Sequence, residues 1–184
     1  MRRVFIAVRT DPADDLMKML SSIKDHTIND RIKWVDPSGF HITLVFLGEI
    51  PGARIRMLDR MLREKCTGFG HFDFVLSGAG VFGSRSDPRV LWVGISQAER
   101  LYSLYEIISE RLMESRFEIE DRKFRPHLTI GRVKSVSDPE GLRSLMNKYD
   151  GREFQKVSVK EIILFESILQ KAGPLYTPLA VYPL

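Results

Sequence analysis

Apolar residues run unbroken from Val4 to Val8, then recur at Leu16, Met19, Leu20 and Ile23. The first run is β-branched and aromatic and ends in a polar cluster, which predicts a strand. The second has helical spacing, with Asp11 as N-cap and Pro12 at the first helical position. Two extended pieces follow, Arg31–Val35 and Phe40–Leu47, separated by the turn Asp36-Pro37-Ser38-Gly39. Pro51 opens a second helix with Ile55, Leu58 and Leu62 inward; its arginines Arg54, Arg56, Arg60 and Arg63 spread around the surface and read as solvated.

Phe72 to Val81 and Arg89 to Ile95 predict a hairpin. Ser96 with Glu99 forms a capping-box pattern before a helix through Leu101, Leu104, Ile108 and Leu112. Phe124 to Val133 is extended again. Ser137 with Glu140 is a second capping-box pattern, before Leu142, Leu145 and Met146, and this helix stops at Asp150-Gly151. Lys156–Phe165 and Tyr176–Tyr182 are the closing strands. Paired strands between helices predict an α+β fold with antiparallel sheets.

Read in halves, the order is strand, helix, strand with His41, helix, then strands, helix, strand with His127, helix. Such a divergent duplication predicts a single bilobal domain over residues 1–184, with two sheets related by a pseudo-two-fold axis, helices outside and a central groove.

Two of six threonines stand two places after a histidine, in His41-Ile42-Thr43-Leu44 and His127-Leu128-Thr129-Ile130. Alternation along a strand puts each histidine and threonine on one face and the aliphatic pair on the other. Two imidazoles facing each other suit in-line displacement at phosphorus, one as base to the attacking water and one as acid to the leaving oxygen. The threonine hydroxyls can hold the non-bridging oxygens. A single such tetrapeptide reads more naturally as strand structure; the matched pair favours chemistry.

These stretches, Trp34-Val35 with Phe40 to Glu49 and Phe124 to Arg132, resemble the signatures of the two-histidine phosphoesterase superfamily. Within it they are most similar to the RNA 2′,3′-cyclic phosphodiesterases, first described as 2′-5′ RNA ligases. The likeness extends to Arg3-Val4-Phe5-Ile6-Ala7, to Gly80-Val81-Phe82, to Pro88 through Gly94 and to Tyr176. It implies a metal-free, cofactor-free enzyme that opens the cyclic phosphate at an RNA end, tRNA fragments included, to a 2′-phosphate, with His41 as proton donor and His127 as acceptor. The residues themselves do not decide between the two roles. A 2′-5′ ligase, another 2′-5′ or cyclic-nucleotide phosphodiesterase, and a catalytically silent RNA-binding module remain alternatives.

Around the pair, Arg132 is a candidate phosphate cation, although its odd offset from His127 turns it to the far face unless the strand bends at Gly131. Phe82 is a candidate base-stacking ring or a core residue. Arg85 and Arg125, with Arg89 and Lys123, are candidates for the groove mouth, and Tyr176 for a hydrogen bond within it. Gly78-Ala79-Gly80-Val81-Phe82-Gly83 matches a dinucleotide fingerprint, but a turn and a strand follow where a helix is needed. Two histidines so far apart with no acidic ligand nearby make a poor zinc site.

Composition adds little: 43% hydrophobic and 28% charged residues describe an ordinary globular chain, and 28 Lys plus Arg against 24 Asp plus Glu permit a polyanionic partner. One cysteine, Cys66, and no apolar run long enough for a membrane span or signal peptide point to a cytoplasmic protein, expected to be a monomer.

Overall fold

A computed structural model describes residues 1–119, 123–170 and 173–184. In order these form β1 (Arg2–Arg9), α1 (Asp14–His26), β2 (Arg31–Trp34), a 3₁₀ turn (Pro37–Gly39), β3 (His41–Ile50), α2 (Gly52–Cys66), β4 (Phe72–Gly83), β5 (Pro88–Ser96), α3 (Glu99–Glu114), β6 (Leu128–Ser135), α4 (Pro139–Asn147), β7 (Glu153–Val159), β8 (Glu161–Gln170) and β9 (Gly173–Pro183).

All strand pairs are antiparallel, and the sheet order is β7-β4-β5-β6-β3-β1-β8-β9, with β2 also on β6. The two lobes meet at β3 and β6, which share one register pair, Ile42 with Leu128. On one side β8 and β3 flank β1; on the other β4 and β6 flank β5. The strand that ends each half of the chain therefore completes the lobe begun by the other half. Helices α1 and α4 pack on β7 and β4, α2 packs on β9, and α3 spans β3 and β4. Their apolar faces, including Leu16, Leu20, Ile23, Leu58, Leu62, Leu104 and Ile108, are fully buried in one main core. Among the described residues no helix is long and apolar enough to cross a membrane.

The predicted single strand Lys156–Phe165 is two strands, β7 and β8, at far places in the sheet order. Only Lys160 links them, so the sheet must curl to bring these places together; its carbonyl accepts from Leu184 N–H at 3.0 Å. The segment 124–127, predicted as part of an extended strand, precedes β6 without joining the ladder.

Three helix starts also differ from expectation. Asp11 does not cap α1, whose N-cap is Ala13. The side chain of Gln155 serves there, accepting from Ala13 N–H at 2.8 Å and donating to the Asp11 carbonyl at 2.6 Å. Ser96 belongs to β5, and Ala98 precedes α3 without a side-chain cap. At α4 the cap is Asp138, accepting from Gly141 N–H at 2.9 Å, while Ser137 bonds to Asp30 instead. Arg54, read as solvated, donates to the Ser115 and Arg116 carbonyls beyond α3 and stacks on Phe117 at 4.1 Å. Replacing Gln155 with alanine is expected to cost about 0.5–2 kcal/mol, the range of a lost helix cap, as a lower midpoint in thermal or urea unfolding. Gln155→Glu, which keeps the acceptor and loses the donor, should cost less.

Candidate functional site

His41 opens β3 and His127 stands immediately before β6. Both are held in the same way: His41 Nδ1 donates to the Gly39 carbonyl and His127 Nδ1 to the Arg125 carbonyl, each at 2.7 Å. A carbonyl can only accept, so Nδ1 carries the hydrogen and Nε2 is left for chemistry, as acceptor in a neutral ring and donor in a charged one. The alternation is as the sequence predicts: Ile42, Leu44, Leu128 and Ile130 are buried, whereas the histidines and threonines are not. In an antiparallel pair centred on Ile42 and Leu128, His41 lies toward Thr129 and Thr43 toward His127. The two motifs thus share one open face around the pseudo-two-fold axis.

Each motif ends in a β-bulge. Thr129 pairs with Trp92 but Gly131 with Leu91, which leaves Ile130 as the extra residue. A bulge resets the alternation, so Arg132 joins Thr129 on the open face despite its odd offset from His127. In the lobe of β3, β1, β8 and β9, lobe one, Thr43 pairs with Ala7 but Val45 with Ile6, leaving Leu44 extra and turning Phe46 onto the same face. Phe46 is therefore the lobe-one counterpart of Arg132, which pattern reading alone does not reveal.

The floors of the two half-sites differ. Beneath His41, Phe5, Ala7, Ile163 and Phe165 form a second small core, with Phe46 and Tyr176 packed on it. His41 lies 5.1 Å from Phe5 and 5.0 Å edge-on from Tyr176, between ring centroids. On the other side the Trp92 indole lies across Gly80, where a Cβ would come within 2.3 Å of it. Phe82 sits 5.1 Å from Trp92 and 4.9 Å edge-on from His127. Phe124 stacks on Tyr105 of α3 at 4.1 Å, tying down the segment that leads to His127.

A cavity of about 620 Å³ opens beside His127 and Thr43, walled by Phe46, Phe82, Phe124 and Tyr105, with Lys123 and Arg125 among its lining. Beside His41 the space is about 40 Å³, bounded by Arg9, Ser38, Phe165 and Tyr176. Burial is the main cause holding the His41 pKa below the usual imidazole value, and the charges of Arg132 and His127 act in the same direction. The bond to Gly39 opposes them.

Of the residues singled out from the sequence, His41, Thr43, Phe82, Arg125, His127, Thr129, Arg132 and Tyr176 come together here. Arg85 does not: it is paired to Glu140 of α4 at 2.7 Å, and Arg89 is paired to Asp87 at 2.7 Å. The hairpin that carries Arg85 is held toward α4, where Arg143 donates to the Val81, Gly83 and Ser84 carbonyls. Cys66 is buried, which pushes its thiol pKa up to about 12 and rules it out as a thiolate near neutrality. Among the described residues no three His, Cys, Asp or Glu side chains are grouped as around a metal ion.

Two lobes, each bringing a His–X–Thr strand to one face about a shared axis, define a two-histidine phosphoesterase. The chain belongs to the family described as LigT like Phosphoesterase, whose model matches it twice, over residues 6–92 and 93–176. The double match coincides with the duplication read from the motifs. Similar proteins include the RNA 2′,3′-cyclic phosphodiesterase of Methanothermobacter thermautotrophicus, 32% identical over 99% of this chain and 98% of that one. The protein of that name from Thermotoga maritima is 34% identical over 95% and 91%. Among solved structures, a Thermus thermophilus protein superposes with a TM-score of 0.77 at 25% identity, covering 99% of this chain and 97% of that one. E. coli LigT, solved with 3′-AMP, shares the fold at a TM-score of 0.76 and 24% identity, over 100% and 98%.

Proposed function

We propose that this chain is an RNA 2′,3′-cyclic phosphodiesterase that opens the cyclic phosphate to a 2′-phosphate by acid–base catalysis between His41 and His127. The observation that carries the reading is the pair of Nδ1-anchored imidazoles, set on one face by the Ile42–Leu128 register. Water attacks phosphorus as one imidazole Nε2 takes its proton; the P–O3′ bond breaks as the other imidazole gives a proton to O3′. Thr43 and Thr129 hold the non-bridging oxygens, and Arg132 neutralises the charge that grows on them. Phe82, Arg125 and Tyr176 border the substrate. The similarity to proteins bearing that activity's name over almost the full length supports the choice of substrate.

Following the family resemblance, His41 is the donor and His127 the acceptor. No metal enters, because the two imidazoles already supply both proton transfers. One chain furnishes both half-sites, so the enzyme works as a monomer and as one bilobal unit, acting in the cytoplasm on RNA ends that include tRNA fragments. The test is turnover of a short RNA ending in 2′,3′-cyclic phosphate with EDTA present. A 2′-phosphate product formed at an undiminished rate supports the reading; a 3′-phosphate product, or loss of the rate with EDTA, overturns it.

The lowered pKa of His41 gives a second test. The limbs of kcat/KM against pH belong to the coupled imidazole pair, so a His41 pKa held below the usual value draws the profile toward lower pH. Removing the charge of Arg132 raises that pKa, and Arg132→Gln is expected to move the profile to higher pH as well as lowering kcat/KM. A profile that does not move would separate His41 from the titration.

A further inference from the structure

Phe46 and Arg132 occupy matching places, each three residues beyond its motif threonine and each turned to the open face by a bulge. One is a ring and the other a cation. The charge absent from lobe one is supplied by Arg3. Alternation along β1 puts Arg3 on the face of Phe5, Ala7 and Arg9, and its guanidinium lies 4.9 Å over the Phe46 ring.

Its neighbour Arg2 is paired with Glu166 at 3.5 Å, whereas among the described residues no carboxylate lies within ion-pair distance of Arg3. A guanidinium stacked on a ring keeps its planar donors turned outward while losing little hydration, which suits a phosphate oxygen. The charge of Arg132 reaches His41, and Phe46 lines the same cavity as His127. Arg3 is exposed and sits over a ring that itself lines the cavity beside His127 and Thr43.

We propose that Arg3, carried on Phe46, binds the phosphodiester preceding the terminal nucleotide, so that the site selects an RNA chain end over a free cyclic mononucleotide. The proposal rests on the phosphoesterase reading above. An RNA end carries this second phosphate; a cyclic mononucleotide does not. Adding a 5′-phosphate to the mononucleotide restores it without any further chain.

The experiment compares kcat/KM of wild type, Arg3→Gln and Arg3→Lys on a short RNA ending in 2′,3′-cyclic phosphate, on a cyclic mononucleotide, and on the same mononucleotide with a 5′-phosphate. Arg3→Gln is expected to reduce the preference for the RNA over the plain mononucleotide about tenfold, the scale of one charge-assisted hydrogen bond. It should likewise remove the gain from the 5′-phosphate, with Arg3→Lys in between. An equal loss on all three substrates, or an unchanged preference, overturns the proposal. Binding of an RNA ending in 2′-phosphate gives a readout that needs no turnover: the slope of log affinity against log salt should fall by about 0.7 in Arg3→Gln, one single-strand phosphate contact. An unchanged slope would refute the Arg3 contact, whereas absence of turnover in every protein with a normal slope change would count against the hydrolase reading alone.

Discussion

Alanine in place of either His41 or His127 is expected to lower kcat on an RNA with a 2′,3′-cyclic phosphate end by about 10²–10⁴-fold. The affinity for the 2′-phosphate product should change little. Among the described residues each imidazole makes one hydrogen bond, His41 to the Gly39 carbonyl and His127 to the Arg125 carbonyl, so truncation removes a proton carrier without breaking a network. Hydrogen bonds and charge from Thr43, Thr129 and Arg132 remain to bind the anion. The double variant should lose far less than the product of the single losses, because neither half of the proton transfer is useful without the other. Single-turnover rates with saturating enzyme check this. A variant that loses binding and leaves the bound-state rate intact would return the histidines to a binding role.

Gly80→Ala is expected to destabilise the protein by about 1–3 kcal/mol, the usual cost of overpacking. A Cβ at residue 80 would stand 2.3 Å from Trp92 Cζ2, with two further indole atoms inside 3.0 Å, so the whole ring must move. The displacement passes to Phe82 and then to His127, whose rings follow in contact. A shift near 1 Å in a reacting group can cost ~10²-fold, so kcat/KM should fall along with stability. Gly52→Ala is the control: its Cβ meets nothing within 4 Å at the start of α2, and both stability and rate should hold. Melting temperature and kcat/KM measured on both variants separate the effects.

The histidine strands were legible because a period of two is local information: Ile42 and Leu128 declare which face is buried, and the opposite face follows. Hairpin β4–β5 and the apolar faces of the helices were legible for the same reason. Arg132 was not, because an odd offset has meaning only if the strand is regular, and the Ile130 bulge is set by pairing with β5. Arg85 carries the same charge as Arg125 in a similar polar setting, but Glu140, 55 residues away, holds it elsewhere. Two caps failed for a related reason: at α4 Asp138 takes the place of Ser137, and at α1 Gln155, acting across 142 residues, serves where Asp11 was expected. The break at Lys160 is invisible in an apolar run that continues on both sides, since the two strands differ in their partners and not in their composition.

That break also fixes an order of assembly on the ribosome. The strands β4, β5, β6 and β7 are consecutive and pair with one another as they emerge. The first strand made, β1, can pair with β3 early but must wait for β8, the last but one, before it is enclosed on both sides. Phe165 comes with β8 itself and Tyr176 later, with β9, and together they wall in His41. A nascent chain therefore holds the His127 half-site well before the His41 half-site is walled in.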